Sequence, residues 1–131
     1  MEDEHQKALP CKIILVGDSA VGKTCIIKRF TSNSFDENEI TSSNASNTKK
    51  FVSFKEYNNQ EISFNVWDTV GQEKYRGLTK LFYHDAKAAI LVYDITNADT
   101  FKSVKEYWYN QIKNFGEKDV SMFNIYLILK N

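Results

Sequence analysis

The chain has 131 residues, 42% of them apolar, with one proline and 17 basic residues against 17 acidic ones. That length suits one domain with a real core, and the charge balance leaves no global field to draw nucleic acid or acidic lipid. No apolar run approaches the ~20 residues of a membrane-spanning helix. Two unpatterned cysteines without a leader-like segment point to a reducing, cytoplasmic location. Cys11 and Cys25 both read as small buried residues. His5 and His84 stand isolated, as surface histidines rather than metal ligands.

Residues 1–9 are polar and charged and read as a flexible arm, with the folded domain over 10–131. A first strand is expected at residues 12–16, followed by the loop Gly17-Asp18-Ser19-Ala20-Val21-Gly22-Lys23-Thr24 and a helix over about 22–30. Strand, Gly-x-x-x-x-Gly-Lys-Thr and helix, in that order, make a phosphate-binding loop. Glycines let successive N–H groups curl towards phosphate oxygens at the positive end of the helix. Lys23 then reaches the β- and γ-phosphates, and the Thr24 hydroxyl is a Mg²⁺ ligand. A chance glycine turn would lack both flanks.

Next come 20 polar residues, 31–50, rich in Ser and Asn, long enough to mark a functional loop or disorder. Residues 51–54 and 62–67 alternate with the strand period around the turn 57–60, which predicts an antiparallel hairpin. Residues 73–85 read as a helix of mixed quality, and 88–93 as a strand covered on both faces. Phe101, Val104, Trp108 and Ile112 form a helical stripe, and 125–129 a last strand. This alternation predicts an α/β fold, a mostly parallel sheet with helices on both faces in three layers.

Phosphoryl chemistry also needs a carboxylate near the metal. Two strands end in Asp. Asp94 is the more ordinary case, a residue that starts a loop. Asp68 is followed by Thr69-Val70-Gly71-Gln72-Glu73, in which the Gly71 N–H is open to a γ-phosphate and Gln72 can orient an attacking water.

The phosphate loop, Trp67-Asp68-Thr69-Val70-Gly71-Gln72-Glu73 and Leu91-Val92-Tyr93-Asp94-Ile95-Thr96 together resemble a Ras-superfamily small GTPase. Trp67 and the run from Lys74 to Tyr83 resemble the Rab branch. The similarity covers residues 12–115. It implies a GTP/GDP- and Mg²⁺-dependent switch that hydrolyses GTP in vesicle transport. Gly17 to Cys25, Phe35, Ser42, Asp68 and Gly71 would contact the nucleotide. Gln72 and Lys23 would be catalytic. Thr24, Asp68 through water, and Ser42 would serve the metal. Phe35, twelve residues past Lys23, takes the place of the guanine-facing aromatic ring. Ser42, nineteen past Lys23, stands where the family has a Thr, with Thr41 and Thr48 as competitors because the following stretch is longer than usual.

The resemblance further implies exchange factors, activating proteins and effectors as partners, on the cytosolic face of endomembranes. No arginine finger is evident, so slow intrinsic turnover is expected. Val70 replaces the usual Ala, and Asn47 replaces an effector-facing Phe. The chain stops at Asn131, before the guanine-selecting Asp, the last strand and helix, and the prenylated cysteines of a Rab. A sequence cut short is the expectation drawn from that. The competing readings are a pseudo-GTPase acting as a non-catalytic interaction module, and another phosphate-loop NTPase such as a kinase or ATPase.

Overall fold

The computed structural model describes residues 7–32, 46–68 and 80–127. Five strands form one sheet: β1 (Leu9–Val16), β2 (Ser46–Phe54), β3 (Gln60–Asp68), β4 (Ala86–Asp94) and β5 (Ser121–Leu127), in the spatial order β2-β3-β1-β4-β5. Pairings β1–β3, β1–β4 and β4–β5 are parallel and β2–β3 is antiparallel. Helix α1 (Lys23–Ser32) follows β1, and the short α2 (Lys80–Tyr83) precedes β4. Between β4 and β5 run α3 (Ala98–Ser103), a π-helical turn (Val104–Trp108) and α4 (Tyr109–Phe115). This is the expected mostly parallel α/β sheet.

The strand period sorts β1 between two cores. Ile14 and Val16 face Phe82, Tyr83, Leu91, Val104, Trp108 and Ile112. Leu15 faces the other way, with Val21, Ile27, Val66 and Val92 under α1. Burying residues of this size contributes about 1.5–3 kcal/mol each.

Several expectations needed correction. β1 begins at Leu9, inside the expected arm, because Leu9 pairs with Ile62 of β3; residues 1–6 lie outside the described residues. β2 extends back through Thr48, Lys49 and Lys50, residues without strand character of their own, because β3 offers them an unbroken ladder from Ser46↔Asp68 to Phe54↔Gln60. Charged residues suit an edge strand. The hairpin closes through a 3₁₀ turn (Lys55–Tyr57), with Asn58 and Asn59 at φ 55° and 57°.

Cys11 and Cys25 are half-buried rather than buried. Phe101 is 44% exposed and lies against Tyr93 instead of joining the core stripe. His84 is on the surface as expected, but it is not isolated: its ring nitrogens lie 3.2 Å from Asp85 and 3.5 Å from Glu117. Of the expected helix over 73–85, residues 73–79 lie outside the described residues, 80–83 form α2 and 84–85 a turn, and the last strand starts four residues earlier than its apolar run.

Candidate functional site

Gly17 leaves β1 at φ 151° and Gly22 enters α1 at φ 97°, conformations that L side chains rarely adopt. Space matters as much as torsion at Gly17. A Cβ there would lie closer than 3.0 Å to the Val92 carbonyl oxygen on the neighbouring strand. The loop is therefore seated directly on β4.

Lys23 is 3% exposed, and its ammonium donates to the carbonyls of Gly17 at 3.1 Å and Asp18 at 2.8 Å. A cation buried this deeply needs such acceptors. It folds back over the loop it belongs to. The next residue, Thr24, donates its hydroxyl to Asp68 Oδ2 at 2.8 Å, across 44 residues of sequence. Asp68 is 1% exposed at the end of β3. Parallel pairing of Leu15 with Asp68 brings that carboxylate level with the loop. A buried carboxylate beside a hydroxyl is a hard-oxygen donor set, which suits Mg²⁺. A buried ammonium at the N-terminus of a helix suits phosphate.

Asp94 has the ordinary role. Its carboxylate accepts from the Thr96 N–H at 2.8 Å and the Thr96 hydroxyl at 2.6 Å, closing the turn after β4. Asn97 then caps α3 by accepting from the Asp99 N–H at 3.1 Å. These residues, with Ser19, Ala20, Ala98, Asp99 and Thr100, line an open cavity of ≈ 610 Å³ beside the outer lip of the loop.

The matching family model is described as Ras of Complex, Roc, domain of DAPkinase, and it aligns with residues 12–129. The chain belongs to the Ras-like small-GTPase family. Similar curated proteins are Ras-related Rabs. Rab-19 of Homo sapiens is 38% identical over 109 residues, 83% of this chain and 48% of the relative. RABA5b of Arabidopsis thaliana is 40% identical over 106 residues, 81% of this chain and 48% of the relative. Rab-11C of Dictyostelium discoideum is 37% identical over 120 residues, 92% of this chain and 52% of the relative. The chain spans about half the length of the curated relatives it matches.

Within this small-GTPase domain the structure brings Gly17 to Cys25 together with Asp68. Phe35, Thr41, Ser42, Gly71 and Gln72 lie outside the described residues. Thr48 falls within β2, opposite Val66 and two ladder steps from the level of Asp68.

Two contacts carried no signal in the sequence. The Trp108 indole donates to Asp18 Oδ1 at 3.0 Å across 90 residues. Lys12 donates to the carbonyls of Leu81 at 3.1 Å and His84 at 2.8 Å, while its ammonium sits 4.4 Å from the centre of the Trp67 ring. Burial lowers the Lys12 pKa from its ordinary value, partly offset by Asp85. Trp67 in turn meets Phe82 edge to face at 6.3 Å, so Lys12 ties the end of β3 to the end of α2.

Proposed function

We propose that this domain is a Rab-type switch that binds GTP and GDP with Mg²⁺, hydrolyses GTP, and acts with exchange factors, activating proteins and effectors on the cytosolic face of endomembranes. The observation that carries the reading is the 2.8 Å bond from Thr24 to the buried Asp68, beside the buried ammonium of Lys23.

Lys23 holds its positive charge where the β- and γ-phosphates enter the loop, and so opposes the charge that builds up during transfer. Thr24 and Asp68 would hold the metal, the hydroxyl as a ligand and the carboxylate through a water. Mg²⁺ would supply charge neutralisation at the phosphates when bound. The Gly71 N–H binds the γ-phosphate, and Gln72 orients the attacking water. Phe35 packs against the base. For the first switch, Ser42 is the proposed metal ligand, with Thr41 and Thr48 as its competitors. Loss of the γ-phosphate would release the switch segments, and the change of shape is the output.

The test is nucleotide release from the purified chain. Bound GDP identified after denaturation, faster release on adding EDTA, and loss of that EDTA effect in Thr24→Ala and Asp68→Asn are expected. Gln72→Leu should retain GTP and turn it over at least about tenfold more slowly. Preference for ADP over GDP would assign the chain to another phosphate-loop class. Folded protein that never holds nucleotide would make it a non-catalytic module.

A further inference from the structure

Trp108 is 0% exposed, yet it sits in an otherwise apolar cluster with one hydrogen-bond donor to satisfy. The acceptor is the carboxylate of Asp18, inside the phosphate loop, at 3.0 Å. Asp18 is engaged at both ends, since its main-chain carbonyl accepts from Lys23 Nζ at 2.8 Å. A continuous path therefore runs from the Trp108 indole through Asp18 to the Lys23 ammonium.

The π-turn explains how the indole arrives there. Val104, Trp108 and Ile112 are spaced by four, and at 3.6 residues per turn such residues drift around an α-helix by about 40° per step. All three are nonetheless buried on one side, at 3%, 0% and 1% exposure. The wider winding over Val104–Trp108 offsets that drift, and the indole reaches the loop. Single π-turns inside helices are rare and occur frequently at functional sites.

We propose that Trp108 is a positioning residue of the nucleotide site, holding the phosphate loop in its curled form through Asp18. This rests on the nucleotide-binding reading above. The geometry also makes Trp108 a reporter of the loop, because the chain has two tryptophans and the other can be replaced.

The experiment compares Asp18→Ala, Asp18→Asn and Trp108→Phe in the full chain, using a fluorescent GDP analogue with Mg²⁺. Plain electrostatics predicts that removing an anion beside the phosphates slows release. Positioning predicts the opposite for Asp18→Ala, about tenfold faster release, for a lost charge-assisted bond. Asp18→Asn keeps the acceptor oxygen without its charge and should release faster than the parent but more slowly than Asp18→Ala. Trp108→Phe should match Asp18→Ala, and the double variant should be no faster than the worse single one. In nucleotide-free protein, the amides of residues 20–22 should exchange hydrogen about tenfold faster in Asp18→Ala. A Trp67→Phe background should show emission from Trp108 that changes on adding GDP and loses that change in Asp18→Ala.

Release and amide exchange in Asp18→Ala equal to the parent would overturn the proposal. So would a Trp108→Phe protein that melts earlier with both readouts unchanged, since Trp108 would then be core alone. If the parent itself holds no nucleotide, the nucleotide reading fails, and amide exchange still decides whether Trp108 holds the loop.

Discussion

Gly17→Ala is the sharpest single perturbation the structure offers. The added methyl would lie closer than 3.0 Å to the Val92 carbonyl oxygen, 3.2 Å from its carbon and 3.3 Å from Val21 Cγ2. The obstacle is backbone, in a strand hydrogen-bonded on both sides, so it cannot step aside as a side chain tip would. Overpacking of this kind costs about 1–3 kcal/mol. Forcing an alanine to φ 151° adds about 1–3 kcal/mol. Together these reach about 2–6 kcal/mol, a large share of an ordinary domain's 5–15 kcal/mol. For a chain of this size each kcal/mol moves the midpoint by about 4 °C. The melting midpoint followed by circular dichroism should therefore fall by about 8–24 °C. Fluorescent GDP binding should weaken in parallel, since relief requires the loop to lift from β4. A variant melting within about 3 °C of the parent would refute the reasoning.

Ala20 sits at φ 62° without glycine's freedom, so Ala20→Gly should raise stability by up to about 1 kcal/mol in urea titration. Tyr83 is wholly buried, and its hydroxyl has no hydrogen-bond partner among the described residues. Tyr83→Phe should leave the melting midpoint unchanged or raise it by up to about 4 °C. Burial, with Tyr107 nearby, pushes the Tyr83 pKa well above its usual value. Ultraviolet titration of the folded protein should therefore show one of its seven tyrosines still protonated after the exposed ones have ionised. Burial also raises the Cys11 thiol's pKa, with Lys87 opposing. The reactive thiolate thus forms at higher pH than in an unhindered cysteine, and iodoacetamide labelling of Cys11 should rise correspondingly late.

The loop, its strand and its helix were legible because they are local: glycine spacing, a lysine and flanking periodicity all lie within about twenty residues. Asp68 was legible from the Thr69-Val70-Gly71-Gln72-Glu73 run that follows it, since Asp94 ends a strand as well. Other features depended on partners distant in sequence. Leu9 became strand because Ile62 lies beside it, and polar Ser46 to Lys50 became strand because β3 extends that far. Phe101 fits the helical spacing but lies on the exposed shoulder of α3, where Tyr93 receives it. The π-turn changes the winding inside one helix, and hydrophobic spacing is too coarse to register it. The Trp108 to Asp18 bond follows from that winding, so no local pattern announces it.

The β2–β3 hairpin separates what can vary from what cannot. Nine residue pairs run in unbroken register from Ser46↔Asp68 to Phe54↔Gln60, placing the tip about 27 Å from Asp68. Tyr57 at the tip is 73% exposed, and the left-handed Asn58 and Asn59 close it. Length added between those asparagines leaves every ladder pair in place. The tip is thus a natural port for grafting a dye, an epitope or a tether, so that a single molecule can be held or watched while the loop at the far end keeps its shape.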